Sequence, residues 1–66
     1  MNADQLVDDV LTAHERVAEA EQEVRDRVAL RAAAVKAAID GGAGATNLAR
    51  ALGVSRARIY DMAKQG

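Results

Sequence analysis

Ala49-Arg50-Ala51-Leu52-Gly53-Val54-Ser55-Arg56-Ala57-Arg58-Ile59-Tyr60 is the stretch on which the fold turns. Gly53 divides two short runs with helical character. Ahead of it, Ala45 to Leu52 places Leu48, Ala49 and Leu52 on one face. Behind it, Ser55 is a good N-cap, and Ile59, Met62 and Ala63 follow at helical spacing. A residue in the turn between two helices often needs a left-handed backbone, which glycine adopts at little cost and a residue with a Cβ does not. Ala49 is small where the two helices would cross, and Val54 is apolar where it would plug the corner. Leu48, Leu52, Ile59 and Met62 are expected to fill the space beneath.

That combination of a small residue four before Gly53, an apolar residue just after it, a Ser cap and Ile59 six after it resembles the helix-turn-helix of bacterial and phage repressors and of serine recombinases. The resemblance covers about the last twenty residues strictly, from Gly44 to about Lys64. It extends to about forty if Val24–Ile39 is the preceding support helix. It implies that the second short helix lies in the major groove of DNA. On that helix it assigns Ser55, Arg56, Ala57, Tyr60 and Asp61 to the base edges. Arg56 suits bidentate contact with guanine O6 and N7, and Ala57 suits a thymine methyl. Tyr60 is placed either on phosphate and sugar or packed against the turn. Asp61, which repels phosphate, is placed to orient Arg56 or Arg58 or to accept from a cytosine amine. Thr46, Asn47, Arg50, Arg58 and Lys64 are assigned to the sugar-phosphate backbone, which fixes register without reading sequence. The helix N-terminus at Gly44–Thr46 adds backbone N–H donors for a phosphate.

Upstream, neither Pro nor Gly occurs from Ala3 to Asp40, and the stretch is rich in Ala, Glu, Arg, Leu and Val. It reads as one long helix of roughly 55 Å. Asn2 is its expected N-cap. Asp4, Asp8 and Asp9 suit the positive end of its dipole, and Asp40-Gly41-Gly42 ends it. The apolar stripe runs Leu6, Val10, Ala13, Val17, Ala20, Val24, Val28, Ala32, Val35, Ile39. As far as Val24 the steps alternate four and three, as in a heptad seam with Val at one core position and Leu or Ala at the other. Beyond Val24 the rhythm becomes that of an ordinary amphipathic helix.

Charge changes at the same place. Residues 1–23 hold seven carboxylates against Arg16 alone, a net −6. Residues 24–66 hold eight Arg and Lys against Asp26, Asp40 and Asp61, a net +5. The chain therefore divides into an acidic helical arm for oligomerisation, 1–23, and a basic helix-turn-helix head, 24–66. Only the head is suited to approach a polyanion. A lone helix cannot cover its own stripe, so Leu6, Val10, Ala13, Val17, Ala20 and Val24 are expected to form a homodimer interface. In a parallel pair Arg16 falls near Glu21 of the partner; antiparallel and four-helix arrangements, or a higher oligomer, also cover the seam.

The fold class expected is all-α: a long amphipathic N-terminal helix, coiled-coil-like in its arm, leading into a three-helix head. Sixty-six residues with no Cys and one His leave no disulfide, thiolate or zinc site to supplement a small core. No metal and no cofactor is expected. His14 has no nucleophile partner, and Gly41-Gly42-Ala43-Gly44 lacks the Gly-Lys-Ser/Thr ending of a phosphate loop, so no enzymatic activity and no small-molecule ligand are expected. The start of the chain has no basic region followed by an apolar core, and no run is long enough to span a membrane, which points to a cytoplasmic, nucleoid-associated protein. The function expected is sequence-specific binding of double-stranded DNA by a small transcriptional regulator, dimeric through its first helix. The dimer would present two recognition helices to successive major-groove faces. The alternatives are an adaptor or inhibitor working through the acidic arm, and an architectural or recombination accessory factor.

Overall fold

The computed structural model describes residues 2–65, and all of its regular structure is helical. Helix α1 spans Ala3–Asp40, α2 spans Ala45–Leu52 and α3 spans Arg56–Lys64. The 38 residues of α1 run unbroken through the change of rhythm and of charge near Val24. Asn2 caps the helix as expected, its side chain accepting from the Gln5 backbone N–H at 2.8 Å. The molecule measures 60 × 19 × 14 Å and has a radius of gyration of 18.8 Å. A compact chain of this length would have a radius of about 11 Å. Most of the excess is the free length of α1.

Helices α1 and α2 end in the same way. After α1, Gly42 adopts φ +101°, its N–H donates to Ile39 O, and the Ala43 N–H reaches back to Ala38 O. After α2, Gly53 adopts φ +70°, its N–H donates to Arg50 O, and the Val54 N–H reaches Ala49 O. Both are Schellman closures, in which the N–H of the positive-φ residue and that of the residue after it satisfy carbonyls of the last turn. Helix α3 then starts at Ser55, whose hydroxyl accepts from the Arg58 backbone N–H at 3.1 Å. That bond satisfies one of the free donors at a helix start.

The core lies at one end of the rod. Val35, Ala45, Ala49, Ile59 and Met62 are buried together, with Ile39, Leu48, Val54 and Ala63 half-buried around them. Ile59 is fully enclosed. Helix α3 packs against both α1 and α2, while α1 and α2 touch each other only slightly. Helix α3 is thus the keystone of the head, and it turns one face inward and the other to solvent. Small residues set the spacing. Ala32 on α1 and Ala45 and Ala49 on α2 are buried, so the backbones approach closely.

One expectation is corrected. Leu52 was assigned to the core, but it is 53% exposed. It is the last residue of α2, and the chain reverses immediately after it at Gly53. Val54, carried back by the Schellman closure, packs against that end of the core instead.

Candidate nucleic-acid interface

Helix α3 has only nine residues, so its faces follow directly from about 100° of rotation per residue. Ile59, Met62 and Ala63 form the inward face. Ala57 and Lys64 lie diametrically opposite, with Tyr60 and Asp61 on either side of them. Arg56 and Arg58 occupy the two flanks. All six outward residues are exposed. The side chains assigned to base edges therefore share one accessible surface, held rigidly by the core behind it. Ser55 stands at its N-terminal end, where its hydroxyl is engaged in capping.

Within that surface, the Arg56 guanidinium lies over the Tyr60 ring, 5.9 Å from its centroid, one helical turn away. A cation over an aromatic face is attracted by the ring quadrupole. Tyr60 is 41% exposed and so does not pack into the turn. Asp61 forms neither an ion pair nor a side-chain hydrogen bond among the described residues; Arg56 is turned toward Tyr60 instead. Arg50 on α2 and Arg58 and Lys64 on α3 are exposed. Thr46 and Asn47 are exposed in the first turn of α2, whose N-cap Gly44 has no side chain to offer the free N–H groups there.

A contact that sequence reasoning missed ties the head to the support helix. Arg31 Nη2 on α1 donates to Gln65 Oε1, just beyond α3, at 2.8 Å. The partners are 34 residues apart and both exposed, and no local pattern links them. The remaining side-chain contacts lie on α1: Arg27 pairs with Glu23 at 2.8 Å, Arg25 and Asp26 bond to Gln22, and Gln5 bonds to Asp9. These are solvent-exposed i,i+3 and i,i+4 contacts, each worth a few tenths of a kcal/mol (about 0.2–0.5) to the helix.

The arm residues Leu6, Val10, Ala13, Val17, Ala20 and Val24 are all exposed in the single chain. Among the larger ones exposure reaches 67% at Val10. Two shallow grooves follow this line of α1. One is bordered by Val17, Ala20, Glu21, Val24 and Arg25. The next is bordered by Val24, Arg27, Val28 and Arg31. The second carries the apolar line past the end of the heptad seam. The step of four from Val24 to Val28 is its only trace in the sequence.

Among the described residues, no group of three or more His, Asp or Glu is arranged to hold a metal ion. No described helix is long and apolar enough to cross a membrane. No family model matches the chain, and no match was found among curated proteins or solved structures.

Proposed function

We propose that this protein binds double-stranded DNA in a sequence-specific manner through the outward face of α3, and does so as a dimer joined through α1, in the role of a small transcriptional regulator. The observation that carries this reading is the exposed outer side of α3, where Ala57, Tyr60 and Lys64 face away from the Ile59–Met62 core contact and Arg56 and Arg58 stand exposed on its flanks. A short helix held by its back against two others, with its outer face polar and cationic, has the shape that enters a major groove about 12 Å wide. Arg56 has the fork geometry to read a guanine edge, and Arg50, Arg58 and Lys64 are free to take phosphates. A single head offers few contacts and so modest affinity. Two heads joined by the arm gain through effective concentration.

The test is selection of bound sequences from a random duplex pool by the intact chain, repeated as salt is raised. Enrichment of a defined motif supports the reading. Retention without any enriched motif would reassign the protein to an architectural role. Absence of retention at low salt would leave the acidic arm, and hence a protein-binding adaptor, as the functional part.

A further inference from the structure

The exposed stripe of α1 has a preferred occupant and a preferred direction. We infer that it binds a second copy of this chain antiparallel, with residue 18 of one protomer level with residue 19 of the other, so that the first half of each acidic arm, residues 1–13, lies along the basic residues 24–36 of its partner's α1. This rests on the self-association part of the function proposed above and is independent of DNA binding.

Three observations support this arrangement. The first is the size sequence along the seam, Leu6, Val10, Ala13, Val17, Ala20, Val24. In this antiparallel register Ala13 meets Val24 of the second copy, and Val17 meets its Ala20. Each of the four central layers then combines one small and one larger residue, and the helix separation stays even. A parallel pair instead stacks Ala on Ala at 13 and 20 and Val on Val at 10, 17 and 24, alternating gaps with bulges. Interfaces close-pack like interiors, and gaps of that kind forfeit contacts on both sides.

The second observation is the groove bordered by Val24, Arg27, Val28 and Arg31, which continues beyond the heptad seam. The antiparallel register brings Val10 of the second copy level with Arg27, next to Val28, and Leu6 level with Arg31, where they meet the apolar stems of the two arginines. The two most N-terminal seam residues thus cover this groove. In a parallel pair the same stretch would oppose Arg27 to Arg27 and Arg31 to Arg31.

The third is charge. Asp4, Asp8 and Asp9 fall level with residues 28 to 33 of the second copy, among Arg27, Arg31 and Lys36. Arg16 falls across the seam from Glu23. A parallel pair sets two arms of net −6 side by side. Attraction between such oppositely charged segments selects direction even where each pair is worth little by itself. The end of α3, tied to Arg31 through Gln65, then borders the first turn of the incoming arm. The two heads sit about 35 residues apart along the rod, or roughly 50 Å. That exceeds the 34–36 Å of one DNA turn, so paired half-sites would be centred farther apart than adjacent major-groove faces.

The chain has no cysteine, so a spin label can be placed at a single introduced one. Gln5→Cys and Ala18→Cys, both outside the seam, are each labelled in the full-length chain, and the intermolecular distance is measured by pulsed dipolar spectroscopy. The antiparallel pair gives a short distance at position 18. It gives about 40 Å at position 5, from 27 residues of offset at about 1.5 Å each. Short distances at both positions would mean a parallel pair and overturn the inference. A distance near 30 Å at position 5 would place arm on arm alone and overturn the overlap with the basic segment. No dipolar coupling at either position, at concentrations up to the high micromolar range, would remove the second copy altogether. Duplex binding measured on the same samples then separates that failure from failure of the DNA reading.

Discussion

Gly53 and Arg56 sit three residues apart and do opposite kinds of work. At Gly53 the backbone is left-handed, with φ +70° and ψ 32°, and nothing lies within 4 Å of where a Cβ would stand. Substitution there meets conformational strain but no steric clash. Gly53→Val should therefore lower stability by about 1–2 kcal/mol, and Gly53→Asn by clearly less, since Asn tolerates this region. Equal losses in urea titrations followed by circular dichroism would mean that the turn is not held in this conformation. Arg56 is exposed and contributes little to the core, so Arg56→Ala should leave the fold intact. It is expected to cost about 1–3 kcal/mol of binding to an enriched site and to relax preference at one base pair. Arg50→Ala should weaken all sites alike and reduce the salt slope by about one. Competition titrations with single-base variants of the site distinguish the two; uniform loss for both variants would remove Arg56 from the bases.

At the scale of the elements, α3 owes its position to its neighbours, and the arm of α1 has no such support in the single chain. Isolated helices in water are marginal, and most helical stability in proteins comes from packing an apolar face. Replacing Val17 by Asp puts a charge at the middle of the seam, far from the head. The expected result is a lower mass by light scattering together with loss of helical signal from the arm, while the head retains its cooperative unfolding. A variant that keeps the parent mass would show that the seam is not the interface. Much of this organisation was legible in the sequence, because it depends on local rules. Asn2 and Ser55 cap, Gly53 turns left-handed, Ala49 sits buried at the α2–α3 contact, and the absence of Gly and Pro fixes the length of α1. Leu52 was misread because periodicity treats every turn of a helix alike. A last-turn residue can lose its place to one carried back by the closure, as Val54 is here. The Arg31–Gln65 bond was not legible, since it depends on where the third helix ends relative to the first.

Taken whole, the molecule is a rod with a small head at one end, acidic over its free length and basic near the head. Which residues of α3 are exposed was legible in the sequence, because nine residues at a fixed rotation leave little freedom. The occupant of the arm could not be read the same way. A stripe states that something must cover it, and only the order of residue sizes and charges along it says which way the cover runs. The central claim, that the basic head binds nucleic acid, is tested most directly by the affinity of the intact chain for a labelled random-sequence duplex as salt is raised. Phosphate contacts by Arg and Lys release counterions, so the logarithm of the affinity should fall linearly with the logarithm of salt, by about 0.9 per contact. With Arg50, Arg58 and Lys64 on each head, a steep negative slope is the predicted result. No binding at low salt, or binding indifferent to salt, would contradict it.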